Sequence, residues 1–159
     1  MNILFEEIGK IYTPFKTKEN MPIQSKGAKG IRGKIILNEK FIIGLNDLSG
    51  FSHIILLYYF HKSKGFELDT IPFLDDVKRG VFSTRAPKRP NGIGISVVEL
   101  LNIEKNILHI ENIDVLDGTP LLDIKPYISN FDVHKTKKEG WIQNKIENLN
   151  VIKSDKRFH

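Results

Sequence analysis

The chain of 159 residues contains no cysteine. That absence excludes a disulfide framework, cysteine-ligated zinc and a thiol nucleophile, and it fits a reducing, cytoplasmic setting. Aromatic residues are sparse, at 9% with a single tryptophan, which argues against a platform of exposed aromatics stacking on single-stranded nucleic acid. Long apolar runs are missing as well. The longest, Ile54 to Phe60, falls far short of the roughly 20 residues a membrane-spanning helix needs. The opening stretch MNILFEEIGK has no basic region leading into an apolar one, so no secretory signal is expected. No GxGxxG follows an expected strand, Gly92-Ile93-Gly94 being a fragment of it, and no GxxxxGK[ST] occurs. The usual phosphate cradles of dinucleotide and P-loop folds are therefore lacking.

What is present is ordinary globular composition, 40% apolar and 27% charged, with a net charge of +5. The basic balance favours a polyanionic partner through counterion release. A genome biased towards Lys, Ile and Asn would produce the same balance, so both readings stand. Apolar stretches alternate with turn signals. Strands are expected at Ile3–Tyr12, Gly30–Leu37, Phe51–His61, Arg79–Arg85, Ile93–Ile103, Ile107–Ile113 and Leu121–Tyr127. Glu19–Lys29 reads as a loop, Asn46–Gly50 as a turn or short helix, and Lys62–Lys78 as a long excursion. A helix over Lys137–Leu149 would place Trp141, Ile142, Ile146 and Leu149 on one face. Strands at this spacing predict a mainly β protein, a barrel or sandwich with few helices.

Three segments carry more than a core requires. In GVFSTRAPKRPNGIGIS, Gly80 to Ser96, Arg85 and Arg89 each lie near a proline. Restricted backbone beside guanidinium forks suits an anion clamp, or simply a surface loop. In DVLDGTPLLDIKPY, Asp117-Gly118 is a turn dipeptide followed by Thr119-Pro120. Asp114, Asp117 and Asp123 lie close in sequence and could form a metal or acid/base site. The favoured reading is a turn, with Asp117 or the backbone at Gly118 touching a ligand. His53 and His61 share strand parity, but about 26 Å of extended chain separates them, too far to share one ion. No metal site is expected.

Taken in order, these strings resemble one family. Ile8 to Phe15 (IGKIYTPF) comes first, then Pro22-Ile23-Gln24, Gly44-Leu45 with Asp47-Leu48, and Gly50 to His53 (GFSH). GVFSTRAP, Arg89-Pro90-Asn91 and Ile93 to Ser96 follow, and DGTP with DIKPY closes the series. The chain resembles the TsaA-like family, also called the TrmO-type tRNA methyltransferases. Gly92 is a departure, since many members carry proline there. Longer bacterial members also carry an extra C-terminal domain.

The resemblance implies an antiparallel β-barrel with a few peripheral helices rather than a Rossmann sheet. It implies a barrel domain over residues 1–130 and a C-terminal extension, 131–159, packing on it with a basic tail. It further implies S-adenosyl-L-methionine as cofactor, a homodimer, and a cytoplasmic enzyme acting on the tRNA anticodon loop. The reaction would be methylation of the exocyclic amine of threonylcarbamoyl-adenosine at tRNA position 37. Cofactor contacts would fall on Pro22, Ile23, Gln24, His61, Lys62, Arg89, Leu100, Asp117, Gly118, Thr119 and Pro120. Substrate contacts would fall on Arg85, Arg89 and Asn91, with Arg85 or Arg89 clamping the threonyl carboxylate. Asp117 and Tyr127 are the candidate proton acceptors. Lys135, Lys137, Lys138, Lys153, Lys156 and Arg157 would track phosphates or form a solvated face. Two other classes remain open: a non-catalytic RNA-binding barrel, and a metal-dependent small-molecule binder or hydrolase using Asp114, Asp117 and Asp123.

Overall fold

The computed structural model describes residues 1–19, 21–23, 25–143, 145 and 153–155. Among the described residues there are eight strands: β1 (Gly9–Tyr12), β2 (Arg32–Leu37), β3 (His53–Tyr59), β4 (Asp69–Thr70), β5 (Arg79–Gly80), β6 (Ile93–Glu104), β7 (Ile107–Glu111) and β8 (Thr119–Pro126). A single helical turn, α1, spans Ser129–Asp132. Six strands close an antiparallel barrel in the order β1-β2-β7-β6-β3-β8, while β4 and β5 form a separate ribbon.

The barrel follows from alternation. Along β3 the inward Ile54, Leu56 and Tyr58 are buried and the residues between them are not. Along β6 the inward set is Gly94, Ser96, Val98 and Leu100. Ile11, Ile35, Ile54, Leu56, Leu108 and Ile110 are fully buried, each stabilising the fold by roughly 1.5–3 kcal/mol relative to exposure. A six-stranded barrel is narrow enough for such side chains to fill, so a ligand must sit at a mouth or outside. At one mouth the inward residues are small. Gly94 pairs with Tyr58 and Ser96 with Leu56. The β3–β8 register slips between Leu57 and Tyr58, a bulge that bends the strand where it leaves the barrel.

Several expectations need correction. The first strand does not extend over Ile3–Tyr12. Its pairing with both neighbours begins at Gly9, and Ile3, Leu4 and Phe5 stay exposed because no strand flanks them. Arg79–Arg85 is a strand only at Arg79–Gly80; Val81–Ser83 is a 3-10 turn. The Thr84 hydroxyl donates to the Val81 carbonyl at 2.9 Å and closes that turn. The last strand begins at Thr119-Pro120 rather than Leu121, where a missing N–H is tolerated at the strand start. A 3-10 stretch at Glu39–Leu45 was not anticipated. Of the expected helix over Lys137–Leu149, the described part holds a 3-10 turn at Gly140–Ile142; Asn144 and residues 146–149 lie outside the described residues. Among the described residues no helix is long and apolar enough to cross a membrane.

Candidate functional site

The excursion between β3 and β6 folds over the open mouth and encloses a cavity of about 420 Å³, within the range of small-molecule sites. Chain segments far apart in sequence build its walls. Met21, Pro22 and Ile23 come from the loop after β1, and His61, Lys62 and Ser63 from the turn after β3. Thr84, Arg85, Pro87 and Arg89 come from the proline-rich loop, and Asp114, Val115, Leu116 and Thr119 from the β7–β8 connection. Gly94 and Ser96 leave the space that larger inward residues would fill. A Cβ at Gly94 would lie 2.2 Å from Tyr58 Cε2.

At the inner wall three polar side chains form a chain. Ser96 Oγ donates to Asp114 Oδ1 at 2.6 Å, and Tyr58 Oη lies 3.0 Å from Ser96 Oγ. Burial pushes the Asp114 carboxyl up from 3.8 to about 6, against the hydrogen bond from Ser96 and the charge of Arg85. Burial, and then the Asp114 charge, push the Tyr58 hydroxyl above its ordinary value. A carboxyl poised near neutrality in a cleft is the pattern of a functional acid or base. Ser63 Oγ, also on the cavity wall, is buried without a hydrogen-bond partner among the described residues. His61 Nδ1 lies 3.4 Å from Thr119 Oγ1. Its imidazole is held below the ordinary value, first by burial and then by the charges of Lys62, Lys10 and Lys18.

The two arginines of the loop have different duties. Arg89 Nη1 donates to the carbonyls of Val81, Thr84 and Ala86 at 3.3, 2.9 and 3.2 Å, tying the loop to itself. Arg85 is exposed at the cavity rim and acts on Asp114 through its charge. The Gly92 turn beside them takes φ +56°, and its N–H donates to the Arg89 carbonyl at 3.2 Å. The freedom that glycine brings at this departure from the family string is thus used.

Other residues singled out from the sequence lie elsewhere. Asp117 forms an ion pair with Lys16 at 2.7 Å and accepts the Thr13 N–H at 2.9 Å. The Lys16 ammonium, followed by that N–H, holds its carboxyl below the usual value. Gly118 takes φ +73° in the same turn, and its N–H donates to Ile11. Pro120 faces Lys10 in the ladder. None of these three, nor Asn91, lines the cavity, whereas Thr119 does. Leu100 packs in the barrel core. Tyr127 lies at the opposite end of β3, its N–H donating to the His53 carbonyl. Gln24 lies outside the described residues. Asp114, Asp117 and Asp123 diverge: Asp123 pairs with Lys125 at 2.6 Å. Among the described residues no group of His, Asp and Glu could hold a metal ion.

Sequence reasoning named Asp114 but did not place it beside Ser96 and Tyr58. Ser96 ends the IGIS string, which was the available signal; Tyr58 reads as core alone. Trp141 and Ser154 were also missed as neighbours of the site. Trp141 Nε1 donates to the Ser83 carbonyl at 2.8 Å, and Ser154 Oγ accepts the Met21 N–H at 2.9 Å.

Comparison with known proteins adds to this geometry. The profile described as the tRNA-methyltransferase O N-terminal domain matches residues 10–133. A probable S-adenosyl-L-methionine-binding protein of Pyrococcus abyssi is 47% identical over 156 residues, covering 98% of this chain and 85% of that protein. The tRNA (adenine(37)-N6)-methyltransferase of Homo sapiens is 38% identical over 141 residues, covering 82% of this chain and 31% of that protein. The crystal structure of TrmO from Pseudomonas aeruginosa superposes with a TM-score of 0.75 at 38% identity, covering 89% of this chain and 63% of that one. The chain thus spans under two thirds of that structure and about a third of the human protein.

Proposed function

This chain belongs to the family of the tRNA-methyltransferase O N-terminal domain, and on this basis we propose that it is an S-adenosyl-L-methionine-dependent tRNA methyltransferase. The observation that carries the reading is the cavity itself. It gathers Pro22, Ile23, His61, Lys62, Arg89 and Thr119, residues to which the family resemblance gives cofactor contacts. The fit to a cationic ligand with polar ends is supported by two features. Ser63 Oγ is a buried hydroxyl in want of a partner, and the desolvated Asp114 carboxyl is engaged by a serine hydroxyl.

Bound there, S-adenosyl-L-methionine supplies a methyl group already activated by its sulfonium. The chain's own residues then have two tasks. The first is to hold the acceptor in line, a matter of proximity and orientation. The second is to take the proton that the acceptor nitrogen gives up. Asp114 is the residue for this. It lines the cavity, and its proton affinity is near the working pH, where a general base is most effective. Asp117 and Tyr127, the sequence candidates, lie off the cavity wall, and Asp117 is engaged by Lys16.

The finer substrate is the exocyclic amine of threonylcarbamoyl-adenosine at position 37 of the tRNA anticodon loop. Arg85, free-ended at the rim, is the clamp for the threonyl carboxylate through a bidentate pair. Arg89 supports the loop that carries it. The enzyme is cytoplasmic and works as a homodimer; the exposed Ile3, Leu4, Phe5 and Phe131 are apolar surface for a second copy to cover. The test is twofold. Calorimetry with S-adenosyl-L-methionine should show uptake that is lost on replacing His61 and Lys62. Nucleoside mass spectrometry should show a methylated product in tRNA from cells carrying the gene and not in a deletion strain. A chain that binds tRNA without taking up the donor would sink the proposal in favour of a non-catalytic RNA-binding barrel.

A further inference from the structure

We propose that a second cavity beside the first is the acceptor subsite, receiving a nucleobase splayed from single-stranded RNA. This rests on the reading that the first cavity holds the methyl donor. The second cavity, of about 490 Å³, is walled by Phe73, Phe82 and Trp141, with Pro72, Leu74 and Ile142. Ile23, Phe73, Thr84, Arg85 and Pro87 line both cavities, so the two meet along the loop that Arg89 braces. A base in the second cavity would present its edge across that wall to a group held in the first.

The chemistry of the walls selects the occupant. Phe82 is 77% exposed, an aromatic face left open on the rim of a cavity. Trp141 is fixed by its bond to the Ser83 carbonyl. The Arg79 guanidinium carbon and Lys145 Nζ stand 5.8 and 6.0 Å from its ring centroid. Both cations also reach Asp75, at 2.8 and 2.5 Å, and brace the indole, while the charged groups on the cavity wall are Arg85 and Glu139. Arg85 stands where the two cavities join. Flat aromatic walls that open onto the first cavity at a guanidinium fit a π-faced group on an anionic backbone, which is a nucleotide. An apolar peptide would use the aromatics and leave the Arg85 guanidinium at the junction without a purpose.

Trp141 is the single tryptophan of the chain, so intrinsic fluorescence reports on this cavity directly. The full chain, saturated with S-adenosyl-L-methionine, is titrated with a synthetic tRNA anticodon stem-loop. The expected result is quenching of Trp141 emission on adding RNA, beyond any change produced by the donor alone. Phe82→Ala should raise KM for the RNA at least about fivefold, the scale of one lost base–aromatic stack, with the donor Kd unchanged. Flat Trp141 emission while fluorescence anisotropy shows the RNA bound would overturn the proposal. So would quenching by an acidic peptide in place of RNA. If Phe82→Ala does not fold, the emission of the unaltered chain decides. RNA-dependent quenching with no donor uptake by calorimetry would remove the reading of the first cavity and leave the second in place.

Discussion

Ser96 Oγ donates a hydrogen bond to Asp114 Oδ1 at 2.6 Å, at the point where the barrel stops being core and becomes cavity. The hydroxyl partly offsets the desolvation of a carboxyl whose affinity for its proton is raised from 3.8 to about 6. Between those two values the unfolded chain has released this proton while the folded chain still holds it. The folded state therefore loses stability as pH rises through that window and bears the full cost above it, about 3 kcal/mol. Asp114→Asn keeps an acceptor for Ser96 and removes the charge. Thermal melts of the ligand-free variant should show a gain at pH 8 that fades towards pH 4. A gain independent of pH would contradict this account.

The same substitution separates stability from chemistry. A more stable Asn variant should have lost at least about a hundredfold in kcat, the usual contribution of a general base. In the wild type, kcat should fall as pH drops through about 6, where Asp114 acquires its proton. His61 also lines the cavity with a displaced affinity, lowered by burial and its lysine neighbours. His61→Gln, assayed at saturating donor, should therefore keep the acid limb that Asp114→Asn abolishes.

Arg85 and Arg89 should differ in what their loss disturbs. Arg89→Ala leaves the carbonyls of Val81, Thr84 and Ala86 without their shared donor. Scanning calorimetry should register a cost of about 1–3 kcal/mol. Arg85→Ala should melt within about 0.5 kcal/mol of wild type, while methylation of carboxylate-bearing nucleoside falls at least about tenfold. Removing the Arg85 charge should also move the acid limb upward, since that charge holds the Asp114 carboxyl down.

At Gly94 the expected outcome is steric. An added Cβ would meet Tyr58 Cζ at 2.6 Å and Phe60 Cζ at 2.9 Å. Gly94→Ala should cost about 1–3 kcal/mol or more by overpacking, and it should weaken donor binding by displacing Tyr58 from Ser96. Differential scanning fluorimetry with and without donor reads both effects.

Gly92→Pro tests the one departure from the family string. Proline fixes φ near −65°, whereas Gly92 sits at +56° and spends its N–H on Arg89. The variant should lose about 1 kcal/mol or more, read as a lowered midpoint in urea titration.

The barrel was legible because its code is local. The run of β3 is β-branched and aromatic and that of β6 is rich in Ile, Val and Leu between turn residues, both marks of a strand, and both were placed to within a few residues. The N-terminal strand was overextended because Ile3, Leu4 and Phe5 carry the composition of a strand without a neighbour to pair with. Arg79–Arg85 misled for the reverse reason. Its residues suit a strand, but Thr84 closes a turn with its own hydroxyl. The site divides in the same manner. The loop of Arg85 and Arg89 announced itself through prolines and guanidinium groups. Tyr58 did not, because a tyrosine within an apolar run looks like core until a serine from another strand is seen beside its hydroxyl. Trp141 is further still from view, since its place depends on a bond to Ser83 and on the cations beside its ring.

A closed barrel has every strand hydrogen-bonded on both flanks, so it offers no template on which a misfolded neighbour could add a strand. Outside the barrel, among the described residues, stands the ribbon of Asp69–Thr70 with Arg79–Gly80, which Lys78 and Asp69 fringe with charge. Concentrated solutions of this chain should accordingly resist amyloid conversion. The excursion that shapes the cavities can change length in descendants without exposing the barrel to its own kind.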